Sequence, residues 1–246
     1  MLFANVQMYY GYRASSVTLL AGIFPRSEMR GLKSRLFYDA EYRYYNNRIG
    51  GVLARYENPN LGDSYVEFAM DYNGKRTFDT REAFELMTAA RYAERDVYVG
   101  YDIMIGHYAK DYNEATKDDV VDNFLLTPFV GFKGEDFDIG VKYVQSVQRD
   151  RVNENTFECP KGVELYATYR YNKLSVHNVT YLGEAPFVYY GRYGKDLYHG
   201  LQHYAPPHTN YYDAVTICYS ESFAKGSVLL DVGFTIEDDG TGLGTR

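Results

Sequence analysis

Residues 124–143 read FLLTPFVGFKGEDFDIGVKY, and their alternation decides the fold. In the first half one parity gives Phe124, Leu126, Pro128, Val130 and Phe132. The other gives Leu125, Thr127, Phe129, Gly131 and Lys133. After the turn Lys-Gly-Glu-Asp, Phe137, Ile139, Val141 and Tyr143 share one face, and Asp138, Gly140 and Lys142 the other. Side chains on a strand alternate faces with period two, so the stretch is a β-hairpin with one apolar and one polar face. Pro128 cannot donate to a ladder and predicts a bulge or local break.

The same pattern recurs through the chain. Ala4, Val6, Met8, Tyr10 and Tyr12 oppose Asn5, Gln7, Tyr9 and Gly11, and then Val17, Leu19, Ala21 and Ile23 share a face up to Pro25. Further strands are expected around 51–56, 65–72, 97–106, 163–171, 211–220 and 228–236. Residues 84–92 have a composition that also suits a helix, yet Glu85 and Arg91 keep the period of two, so a strand is expected. Residues 174–182 fit least well, because Asn178 and Thr180 share the parity of Val176.

With 246 residues the chain suits one large β domain. A net charge of −7 argues against a binder of nucleic-acid backbone. Mean hydropathy is −0.43, and no run approaches the ~18 apolar residues of a membrane helix. A transmembrane barrel also averages to a polar hydropathy, because lipid-facing and lumen-facing residues alternate. Cys159 and Cys218 match no metal spacing, and their pairing is not legible. No secretory leader is legible, since Leu2 onward already reads as strand, so the chain is expected to be cytosolic or an internal or mature portion of something longer.

The connections alternate in length. Short turns follow the odd strands, somewhat longer at 57–64. Long loops follow the even strands, at 26–47, 73–80, 110–122, 148–161 and 183–209. Outer-membrane barrels have this rhythm, with short periplasmic turns and long outer loops. Charge placement agrees. Arg55, Glu67, Asp71, Glu85, Arg91 and Asp102 fall on the polar parity, as do Asp138, Lys142, Glu164, Arg170 and Asp231. A basic residue at mid-membrane on the lipid face costs roughly 2–4 kcal/mol, which clears charge from that face and leaves it on the lumen. These eleven residues are therefore candidate pore liners, and Asp213 is the main charged exception on the apolar parity. A soluble β-sandwich shows the same alternation but not the loop asymmetry. Tyr10, Tyr12, Tyr56, Tyr72, Tyr92, Tyr143, Tyr169 and Tyr171 lie near strand ends, as an interfacial girdle requires.

The run Ala21-Gly22-Ile23-Phe24-Pro25-Arg26, the alternating strands and the loop rhythm together resemble porin-type outer-membrane barrels of Gram-negative bacteria, particularly those of Bacteroidota. The resemblance covers nearly the whole chain and rests on pattern more than on a diagnostic motif. It implies an all-β, antiparallel up-and-down transmembrane barrel with about twelve strands here. The expected function is an outer-membrane pore through which small polar solutes diffuse, with no catalysis and no cofactor. Its partners would be outer-membrane lipid and the solutes, not nucleic acid, and a homo-oligomer stays open. If the short turns are periplasmic, the first strand runs down and the last runs up. The domain 1–246 then reads as incomplete at both ends, within a barrel of fourteen or more strands.

Other chemistry is weaker. His199, His203 and His208 recur in one stretch, but Gly200 and the pair Pro206-Pro207 set them in a loop, expected to be solvated, rather than on a metal-binding helix face. Ser175 and His177 lie two apart on one face, which permits a barrel enzyme acting on lipid if a third polar group orients the imidazole. A structural or adhesion barrel working through its outer loops is a further alternative. Residues 26–47, rich in Arg and Tyr, are a candidate to fold inward and narrow the channel, and Phe37, Tyr38, Tyr42, Tyr44 and Tyr45 are expected either to stack on sugars or to pack the loop.

Overall fold

A computed structural model describes residues 6–75, 77, 81–109, 120–206, 210–223, 228–240 and 243–245. Sequence readings at Ala4 and Asn5, within the loop 110–119, at His208 and at the turn 224–227 lie outside the described residues.

The expected strands form one all-antiparallel sheet in which every strand pairs with its neighbours in sequence. They are β1 (Met8–Arg13), β2 (Val17–Pro25), β3 (Arg48–Glu57), β4 (Tyr65–Gly74), β5 (Ala83–Glu94) and β6 (Val97–Tyr108), then β7 (Val121–Lys133), β8 (Phe137–Asp150), β9 (Lys161–Tyr171), β10 (Leu174–Gly183), β11 (Asn210–Phe223) and β12 (Val228–Asp238). A three-residue β13 (Leu243–Thr245), which the sequence leaves in a polar tail, turns back on the end of β12. The sheet is open between β1 and β13. No described helix is long and apolar enough to cross a membrane, a fact that says nothing about crossing by strands.

The opening hairpin is β7–β8. Its ladder keeps one register throughout, but pairing with β8 lapses at Thr127 and Pro128 while pairing with β6 continues. The break predicted from the missing proline N–H is therefore local. Residues 83–94 are strand, not helix, with Glu85, Met87 and Ala89 buried on one face.

The assigned parities hold, and they are inverted relative to a soluble protein. The apolar parity faces outward: Val99 is 47% exposed and Val232 56%. The polar parity faces inward: Glu85 is 4% exposed and Asp102 3%. The tyrosines of the expected girdle stand on the outer face, with Tyr12, Tyr56, Tyr92 and Tyr171 at the end of the short turns. A water-soluble sandwich gains its stability by burying apolar faces. This sheet instead exposes them over strand after strand.

The interior is not empty. Residues 26–47 fold inward and carry a 3-10 turn at Arg26–Glu28 and the short helix α1 (Ala40–Tyr45). Residues 184–206 also fold inward, with α2 (Tyr190–Tyr193) and two further 3-10 turns. Leu32, Leu36, Phe37 and Tyr38 from the first segment, and Phe187, Tyr198, Leu201 and Tyr204 from the second, join one buried cluster. The strands contribute Leu53, Met87, Met104 and Leu125 to it, all from the inward parity.

Candidate functional site

The site is the lumen beneath the first inward segment. Its deepest turn, Arg30 to Ser34, is held by three strand carboxylates. The backbone amides of Arg30 and Gly31 donate to Glu67 Oε1 at 3.0 and 2.6 Å. The Leu32 amide donates to Asp102 Oδ1 at 3.0 Å. Ser34 Oγ donates to Glu164 Oε2 at 2.7 Å. Leu32 has φ +55, a left-handed conformation that costs a branched residue ~1–2 kcal/mol. The bend keeps the Leu32 side chain buried and leaves Lys33 exposed to the lumen. Gly31 is required by space, because a Cβ there would lie 2.1 Å from Ala89 Cβ.

Two further carboxylates fix the rest of the segment. Asp71 pairs with Arg26, whose Nε and Nη2 also donate to Asn46 O and Arg48 O at 3.1 Å. One guanidinium thus ties both ends of the segment to β3 and β4. Glu85 accepts from Tyr38 Oη at 2.7 Å and lies 2.8 Å from His199 Nδ1. His199 stacks on Tyr42 at 4.1 Å and so joins the two inward segments. From the second segment, Tyr204 Oη donates to Glu164 at 3.1 Å and the Tyr198 hydroxyl to Gln148 at 2.5 Å. Burial pushes the Tyr38, Tyr198 and Tyr204 phenols up, so they remain donors.

Below this turn lies a cavity of about 340 Å³, walled by Tyr65, Tyr98, Phe129, Tyr166 and His177. Lys142 spans it, 3.5 Å from Glu164 and 3.9 Å from Asp102. A second cavity of about 520 Å³ shares Arg91 and Tyr98 with the first and reaches the turns at 60–63, 95–96 and 134–135. The lumen is thus hollow toward the short-turn end and packed toward the long-loop end.

The candidate pore liners divide accordingly. Arg91, Asp102, Asp138, Lys142 and Glu164 line the first cavity. Glu67, Asp71 and Glu85 are covered by the inward segment and hydrogen-bonded to it. Arg55 sits between Glu57 and Glu67 and donates to Glu28 O. Arg170 and Asp231 stay exposed near the short-turn end.

The histidine stretch is not solvated as expected. His199 is packed as above, and His203 lies 3.6 Å from Glu237 and 3.2 Å from Asp239. Phe37 and Tyr38 pack the segment, whereas Tyr44 and Tyr45 remain exposed. Ser175 Oγ is 3.0 Å from His177 Nε2, and His177 Nδ1 is 3.0 Å from Thr168 Oγ1. That is the order nucleophile, base, orienting group. The strands around it pair continuously, so the neighbouring amides are committed to the ladder rather than to an oxyanion. The two departures from pattern meet on the outer face, where Asp213 accepts from Asn178 Nδ2 at 2.9 Å and Thr180 Oγ1 at 2.5 Å.

Sequence reasoning missed Lys33 and Ser34, and saw Arg26 only as part of a run. The available signal was the inward parity itself: Leu53, Met87, Met104 and Leu125 are apolar residues on a lumen face, which requires something apolar inside to cover them. Desolvation within the interior and the nearby Arg43 guanidinium hold the Lys33 ammonium, though exposed to the lumen, below the usual lysine range. No family model and no curated protein matches the sequence.

Proposed function

We propose that the chain forms the wall of an outer-membrane β-barrel that passes small polar solutes, with residues 26–47 setting the constriction. The observation that carries this reading is the inverted polarity: a continuous apolar exterior around buried Glu67, Asp71, Asp102, Lys142 and Glu164. Solvation by lipid outside and by water inside explains both faces at once. The cavities at the short-turn end supply a charged vestibule. The inward segment narrows it above, and the Arg26–Asp71 pair holds that segment to the wall. The serine–histidine pair favours a lumen hydrolase as second reading. It stands lower because it faces the lumen, where membrane lipid does not reach, and lacks amide donors for an oxyanion.

Single-channel recording in a planar bilayer tests the pore. The native protein is expected to show discrete conductance steps. A variant with residues 29–45 replaced by a Gly-Ser linker should show larger ones. Silence from both proteins, with each folded and inserted, would overturn the reading.

A further inference from the structure

We infer that the cavity beneath Lys33 is a binding site for a small organic carboxylate with a flat or ring-shaped body. The inference rests on the lumen being open to solutes and names the class of solute it favours.

The donors and acceptors facing this cavity are unequally satisfied. Asp138 accepts from the Tyr98 hydroxyl. Asp102 and Glu164 share Lys142 and also accept from Leu32 N and Ser34 Oγ. Lys33 Nζ, in contrast, donates to Met29 O at 2.7 Å, and no carboxylate of the described residues lies within 4.0 Å of it. An ammonium has three N–H donors, so two remain for a ligand. Arg91 adds a second cation at the cavity wall, 3.5 Å from Asp63 and stacked over the Tyr98 ring. Each acid in the cavity already has protein donors, whereas the Lys33 ammonium retains free ones. An entering anion gains charge-assisted hydrogen bonds, and an entering cation gains only carboxylates that are already paired.

The walls define the rest of the ligand. Tyr65, Tyr98, Phe129 and Tyr166 present ring faces and edges around a volume of about 340 Å³, at the lower end of the size of small-molecule sites. An adjoining cavity of about 350 Å³ shares Lys33, Ser34 and His177 with the first, so the ammonium stands between two open spaces. The left-handed Leu32 is what turns Lys33 toward them. Strain of this kind persists where the surroundings over-determine it, here through the three carboxylates that hold the turn.

The test is equilibrium binding of 4-fluorobenzoate to the folded full chain in detergent micelles, followed by fluorine NMR, with 4-fluorobenzylamine as the comparator of opposite charge. Saturable binding of the benzoate is expected. It should weaken about tenfold or more in Lys33→Met, the loss of one charge-assisted contact. Lys33→Arg, which keeps the charge, should restore it. An unchanged far-ultraviolet circular dichroism spectrum shows that each variant is intact. Absence of benzoate binding, equal binding by Lys33→Met, or equally tight binding of the amine would each overturn the inference. Binding in micelles requires no passage across a bilayer, so its failure and the failure of the pore reading are separate results.

Discussion

Lys142 shows what a lumen charge does in this molecule. Its ammonium lies between Asp102 and Glu164, and all three are deeply buried. Asp102 also holds the Leu32 amide and Glu164 the Ser34 hydroxyl, so the lysine neutralises the two acids on which the inward turn rests. Replacing it leaves two buried carboxylates without a cation, and breaking a buried pair costs roughly 3–5 kcal/mol. Urea unfolding of Lys142→Met in lipid vesicles should therefore show a loss of that order. Arg170→Ala, at an exposed position near the short-turn end, should leave the midpoint almost unmoved. Equal effects from the two would mean that burial does not separate structural from solvated lumen charges here. The sequence put both residues on the correct face, since parity alone fixes that. It did not separate them, because depth along the barrel and the covering segment are set by register and loop packing.

At the scale of elements, the inward segment is seated on the wall by its neighbours' acids. Gly31 lies at its deepest point, and an added Cβ would meet Ala89 Cβ at 2.1 Å, Asp102 Oδ1 at 2.9 Å and Glu67 Oε1 at 3.2 Å. Gly31→Ala must lift the turn off the strands or distort them, and overpacking of this kind costs about 1–3 kcal/mol. Limited proteolysis should then cut within residues 26–47 at a protease concentration that leaves the native chain whole. An unchanged cleavage pattern would show that the turn is not seated as described. The strands themselves were legible because their period of two is strong, and the proline break in β7 follows from its missing donor. Strand β10 was the weakest reading for a physical reason. Asn178 and Thr180 stand on the outer face and are satisfied by Asp213 on β11, a partner that only the pairing of the two strands reveals. The inward course of 184–206 was not read at all, because its Gly and Pro residues resemble those of a solvated loop.

In the whole molecule, inside and outside are inverted. Apolar side chains of β2 to β12 face outward, and a buried charged network joins the strands to the inward segments. The edges at β1 and β13 each present an unpaired ladder, which a lipid environment does not tolerate, so closure of the wall is part of the same proposal. The sequence carried the all-β, up-and-down order and the polarity of each face. It did not carry how far the lumen is filled, since that depends on loops packing against strands distant in the chain. The most direct measurement is a nitroxide scan of the β7–β8 hairpin in lipid vesicles, with Cys159 and Cys218 first replaced by serine. Labels at positions 126, 130, 132 and 139 should be reached by dissolved oxygen and shielded from a water-soluble nickel complex, while labels at 129, 131, 133 and 138 should show the reverse. Equal access of the nickel complex to both sets would contradict a lipid-facing exterior, and with it the barrel as described.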